Sequence, residues 1–382
     1  MEISIQPQAR SWASRRLVAT ACILTLGTII AAPETRAADK SATAVAMNTK
    51  TGAKFIADRD MQAVLNELAS LGGKPIETLT PEEARKQPTP ADAVMSLLTK
   101  QGKDTLPTAL VPGVTSADRE IPGPAVSLPA RVYTPTGTGP FPVVVYFHGG
   151  GWIIGDKQAY DGGARGLSKQ AQAIVVSVDY RRAPEAKFPA AWDDALAAYK
   201  WIAANAKSLN GDPTRLALAG ESAGGNLALA TAVAVRDAGL QPPTHVLAVY
   251  PVGQTGNLDT ASYRVSATAK PLNKAMIGWF VDNLLAKPDD KTDSRLDLVH
   301  AKLAGLPPVT IINAQIDPLR EDGALLEAAL KKAGVKVQRK IYAGTTHEFF
   351  GMAAAVKKAK DAQQAGGKAL RTSFRTATAS KR

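Results

Sequence analysis

The chain has 382 residues, 45% hydrophobic and 21% charged, which excludes a disordered or fibrous protein and suffices for one large α/β domain or two small ones. Its single cysteine, Cys22, excludes a disulfide scaffold and any cysteine-ligated zinc or iron–sulfur site. The formal charge of +12 gathers at the C-terminal end, where residues 357–382 hold eight Lys/Arg against Asp361. That stretch reads as a basic, flexible, solvated tail, and with no aromatic interleaving or known module, no nucleic-acid partner is expected.

In chain order, Arg10, Arg15 and Arg16 precede an apolar run over residues 17–32, broken by Pro33 and followed by Thr35-Arg36-Ala37. This is the layout of a secretory signal over residues 1–37, with cleavage after Ala37. The run is short for a stable membrane span; a retained anchor is the alternative. An N-terminal helical segment is expected over 38–112. Met61, Val64, Leu65 and Leu68 recur at helical spacing over 60–71, ended by Gly72-Gly73. A second helix is expected over 89–99. A Pro/Gly-rich stretch, 107–124, changes the character of the chain.

From 113 to 356 short β-branched runs alternate with helices. Strands are expected over 128–133, 143–147, 174–178, 216–219, 246–250, 309–313 and 335–342. Helices are expected over 189–206, 223–237 and 321–333. The pattern predicts an α/β fold with a mainly parallel sheet covered on both faces. A helical insertion, 252–304, interrupts it where ligands enter open α/β sheets.

Gly220-Glu221-Ser222-Ala223-Gly224 follows a strand and opens a helix. Such an elbow projects a serine hydroxyl above a sheet and sets the next N–H at a helix N-terminus. The strand over 143–147 runs into His148-Gly149-Gly150-Gly151-Trp152. The N–H groups of Gly149, Gly150 and Ala223 are candidate donors to a tetrahedral oxyanion. A serine needs a base. Of the four histidines, His347 follows the last expected strand, whereas His148, His245 and His300 read as structural. Asp317 follows the strand over 309–313 and suits a carboxylate that fixes the histidine tautomer. The order Ser222, Asp317, His347 is that of α/β-hydrolases.

Together HGGGW (148–152), DYRRAPEAKFPAA (179–191), GESAGG (220–225), DPLRED (317–322) and YAGTTHEFF (342–350) resemble the bacterial hormone-sensitive-lipase-like (type IV) esterases of the α/β-hydrolase superfamily. The resemblance spans about residues 55–355. It implies an eight-stranded α/β-hydrolase sheet under a helical cap built from the N-terminal helices and part of 252–304. It also implies hydrolysis of short- to medium-chain carboxylic esters, small-molecule substrates, by a Ser-His-Asp acyl-enzyme route without metal or cofactor. Exported, such a protein is expected in the periplasm or outside the cell. Carried over by position, Ser222 is the nucleophile, His347 the base, Asp317 its partner, and Gly149, Gly150 and Ala223 the oxyanion hole. Trp152, Tyr180 and Trp279 are candidate pocket walls, although aromatic residues also build cores.

Three residues depart from the family pattern: Glu221 where Asp is commoner, Arg182 where Leu is usual, and Glu348 where Gly is more typical. Cleavage of amides, carbamates or lactones by the same residues is an alternative, as is a non-catalytic hydrolase-fold binding protein. The letters exclude a penicillin-binding-protein-like esterase, for want of S-x-x-K, and a zinc-protease helix, for want of a second histidine four positions after His347.

Overall fold

The computed structural model describes residues 55–379. The expected leader over 1–37, and residues 38–54 of the N-terminal segment, lie outside the described residues.

Eight strands form one sheet in the order β1-β2-β4-β3-β5-β6-β7-β8: β1 (Val114–Pro122), β2 (Ser127–Pro135), β3 (Phe141–Phe147), β4 (Ile174–Val178), β5 (Gly211–Glu221), β6 (Val246–Val249), β7 (Val309–Ile316) and β8 (Val337–Thr346). The pairings β1–β2 and β2–β4 are antiparallel and all others parallel. The longer helices are α1 (Arg59–Ser70), α2 (Pro90–Lys100), α3 (Asp161–Ala171), α4 (Ala190–Asn205), α5 (Ala223–Asp237), α6 (Lys274–Leu284), α7 (Arg320–Lys332) and α8 (Lys357–Ala379).

The all-apolar β3 is buried on both faces, as a central parallel strand must be. Its alternate side chains split between two layers. Val143, Val145 and Phe147 join Trp192, Ala195 and Leu227 of α4 and α5. Val144 and Tyr146 join Ala164 and Leu167 of α3 and Leu370 and Phe374 of α8.

Register assembles the site. Phe147 pairs with Gly220, Glu221 with Val249, and Ile316 with Thr346. The glycine loop after β3, the elbow after β5 and the residues after β7 and β8 therefore meet at the carboxyl ends of the strands, where open α/β sheets bind ligands.

Three segments differ from expectation. Residues 357–379 are not a flexible tail but helix α8, with Ala359, Ala362, Leu370 and Phe374 buried. Their spacing is helical, and Lys357, Lys360, Lys368 and Arg375 stay exposed, so the charge that suggested a solvated tail is the outer face of an amphipathic helix. Within the Pro/Gly-rich stretch lies β1, an edge strand whose charged, mostly exposed residues hide the usual alternation. Helix α3 was masked by its glycines, which weaken helix propensity. They serve close packing: a Cβ at Gly163 would collide with the Glu221 carboxylate and the Tyr146 hydroxyl.

Candidate active site

Ser222 sits between β5 and α5 with φ 57° and ψ −118°, a strained conformation of the kind found where a side chain must be presented sharply. Hydrogen bonds hold it there: Ser222 N–H donates to Val249 O at 2.9 Å, and its own carbonyl accepts from Asn226 and Val252 N–H, both at 3.2 Å. The hydroxyl donates to His347 Nε2 at 3.0 Å, and His347 Nδ1–H donates to Asp317 Oδ2 at 2.8 Å. The carboxylate can only accept, so Nδ1 carries the proton and Nε2 presents its lone pair to Ser222. Asp317 Oδ1 accepts from Leu319 N–H at 2.9 Å, which fixes the carboxylate. Ser222, His347 and Asp317 are all buried.

Burial disfavours the His347 imidazolium, but Asp317, joined by the nearby Glu348 and Glu221 carboxylates, outweighs it and leaves the imidazole above its ordinary value. The start of α1 and the residue before it back the end of β8 that leads to the histidine: Asp58 N–H donates to Gly344 O at 2.8 Å, and Thr346 Oγ1 lies 3.5 Å from Met61 Sδ.

The glycine loop turns beside the serine. Gly150 has φ +97°, and a Cβ there would run into the Ile154 carbonyl, so only glycine fits. Among the described residues, the Gly149, Gly150 and Ala223 N–H groups have no backbone acceptor. Tyr180 props the loop by donating to His148 O at 2.9 Å and stacking on the His148 ring, centroids 4.4 Å apart.

Two sequence departures converge. Glu221 is buried and accepts from the Tyr146 and Tyr250 hydroxyls. Burial pushes its carboxyl up to about 7, against the opposing pull of those two donors. Glu348, with φ 65°, accepts from Tyr160 Oη–H at 2.8 Å, and burial holds its carboxyl above the ordinary value. The third departure, Arg182, donates to Gly155 O at 2.6 Å and braces the far end of the loop.

A cavity of about 360 Å³ opens onto Ser222 and His347. Leu65, Leu68 and Ile76 line it from the N-terminal segment, and Leu272, Met276 and Phe280 from the insertion. The three expected wall aromatics do not. Trp152 packs into the core against Trp192, centroids 5.3 Å apart; Tyr180 supports the glycine loop; and Trp279 turns away to donate to Leu79 O at 3.1 Å, leaving its neighbour Phe280 to face the cavity. Of the other histidines, His245 bonds Thr310 Oγ1 at the start of β6, its imidazole lowered to about 4 by burial. His300 is exposed and pairs with Asp297. No group of His, Cys, Asp or Glu among the described residues is arranged to hold a metal.

The family pattern of the α/β-hydrolase fold matches residues 144–351. The carboxylesterase NlhH of Mycobacterium tuberculosis is 38% identical over 289 residues, covering 74% of this chain and 90% of its own. Among solved structures, a thermostable esterase from Pseudomonas putida superposes with a TM-score of 0.75 at 31% identity, covering 85% of this chain and 99% of its own. An esterase from Pyrobaculum calidifontis gives 0.72 at 32%, covering 80% and 97%.

The chain belongs to the hormone-sensitive-lipase-like esterases of the α/β-hydrolase superfamily. The family's motifs therefore fall where strand register brings them together, and residues of the N-terminal segment and of the insertion line the cavity. Sequence reading missed Tyr146, Tyr160 and Tyr250. The signal available for Tyr146 and Tyr250 was their place at the carboxyl ends of β3 and β6, Tyr146 two residues before His148 and Tyr250 directly after the last residue of β6.

Proposed function

We propose that the protein hydrolyses short- to medium-chain carboxylic esters through an acyl-enzyme, with Ser222 as nucleophile, His347 as general base and acid, and Asp317 as its orienting partner. The reading is carried by the relay of 3.0 Å from Ser222 to His347 and 2.8 Å from His347 to Asp317. His347 takes the Ser222 proton as Oγ attacks the ester carbonyl. The resulting oxyanion accepts hydrogen bonds from the Gly149, Gly150 and Ala223 N–H groups, each worth about 3 kcal/mol of barrier. Collapse breaks the ester C–O bond, and the imidazolium gives its proton to the leaving alkoxide. Water, deprotonated by His347, then attacks the acyl-enzyme; collapse returns the proton to Ser222 and releases the acid.

The cavity of about 360 Å³, apolar on its cap side, supports acyl chains of modest length. The Arg-led apolar leader supports export to the periplasm or beyond as part of this reading. The test is a chain-length series of p-nitrophenyl esters on wild type and Ser222→Ala. Expected are a maximum at short or medium chains and a loss of several orders of magnitude in the variant. Equal turnover by the variant refutes the assignment.

A further inference from the structure

Two carboxylates line the cavity that opens onto Ser222: Glu77, which accepts from Asn273 Nδ2–H at 2.9 Å on the side of the N-terminal segment, and Glu348, which directly follows His347. Glu348 lines the same cavity as Ser222, His347 and Tyr160. With Tyr160 it also lines a second cavity of about 310 Å³, so the hydrogen bond between them stands as a partition. Its left-handed backbone, φ 65°, follows the catalytic histidine directly, a conformation that a glycine adopts freely and a glutamate adopts at a cost. The charge balance around it is one-sided. Asp317, Glu221 and Glu348 all lie close to the nucleophile, and their polar partners are His347, the Leu319 N–H and tyrosine hydroxyls. None of the three forms an ion pair with Lys or Arg among the described residues. The cavity's cations are Lys74, Arg85 and Lys270. The two lysines are exposed, and Arg85 is taken up by Glu185 and two carbonyls.

We propose that Glu348 is a specificity-determining residue that makes this site favour esters bearing a cationic group beside the scissile bond and disfavour those bearing an anionic one. A carboxylate in a partly dehydrated cavity is screened less than one in water, so its field reaches across the bound substrate. It acts on substrate charge rather than on the bond-breaking step, so the effect falls on KM more than on kcat. The neighbouring Tyr160 hydroxyl takes one carboxylate oxygen and stands close to Gly149, which turns part of the charge away from the oxyanion donors.

The inference rests on the esterase reading, and a neutral ester separates the two. Acetylcholine, its uncharged isostere 3,3-dimethylbutyl acetate and the anionic monomethyl succinate are compared at mildly alkaline pH, which favours the ionised carboxylate. Wild type is expected to rank them cationic, neutral, anionic by kcat/KM. In Glu348→Gln the cationic-to-neutral ratio is expected to fall about tenfold, mainly through KM. Glu348→Gly, which relieves the left-handed backbone, is expected to lose the preference in the same way. A ratio within twofold of wild type in both variants overturns the proposal, as does a wild type that ranks the anionic ester first. Failure of wild type to hydrolyse the neutral ester overturns the esterase reading instead.

Discussion

The Tyr250 ring lies against the His347 imidazole, centroids 4.5 Å apart and planes at 50°. Its hydroxyl donates to Glu221. One side chain thus joins Glu221, the residue before Ser222, to the His347 imidazole, although 125 positions separate Ser222 from His347 in the chain.

This contact has a consequence for pH dependence. His347 must be neutral to act as base, so kcat/KM rises with pH through its ionisation, above the ordinary imidazole value because of Asp317. An ionised Glu221 favours the imidazolium and adds to that rise. Its own carboxyl titrates near 7, so the acid limb carries two coupled ionisations. In Glu221→Gln the acid limb is expected to move to lower pH, because one carboxylate that favours the imidazolium is gone, while Glu348, which acts in the same sense, remains. A pH profile of kcat/KM checks this; a limb that stays in place or moves up contradicts it.

Arg85 fastens the cap to the glycine loop. Its guanidinium donates to Ile153 O and Ala183 O, both at 2.8 Å, and to Glu185 at 2.7 Å. Arg85→Ala leaves two carbonyls without their charged donor. It is expected to cost about 1–3 kcal/mol and to raise KM while kcat changes less. Urea unfolding together with steady-state kinetics reads both, and an unchanged KM removes the latch.

Helix α8 belongs to the folding unit. Phe374 is 2% exposed and packs in the same core as Val144 and Leu167. Phe374→Ala is expected to cost about 3–5 kcal/mol, measured by urea unfolding. A loss below about 1 kcal/mol would return the segment to the status of a solvated tail.

Where local chemistry dominates, the sequence was legible. Ser222, Asp317 and His347 lie at the ends of strands whose β-branched runs announce themselves, and parallel register does the rest. Periodicity of 3.6 revealed α1 and α2 to within a residue or two. What stayed hidden is set by packing between distant segments. The glycines of α3 weaken it locally, yet one of them makes room for Glu221. The charges of α8 obscured an apolar stripe that only the sheet and α3 give a purpose. Trp152 ends the glycine motif and Trp279 lies in the insertion, which made both candidate pocket walls, but side-chain direction sends both elsewhere. Glu221 and Glu348 stood out singly as departures; their approach to one another depends on the carboxyl ends of β5 and β8, with β6 and β7 between them in the sheet, facing one site, which no local pattern encodes.

At the centre of the proposed chemistry one hydroxyl is activated by one imidazole. A fluorophosphonate that modifies activated serines, followed by peptide mass spectrometry, reads that directly. Stoichiometric labelling on the Ser222 peptide is expected, lost in His347→Ala and kept in His300→Ala, whose exposed imidazole only meets Asp297. Labelling on another serine, or labelling of Ser222 that survives loss of the His347 imidazole at full rate, would contradict it.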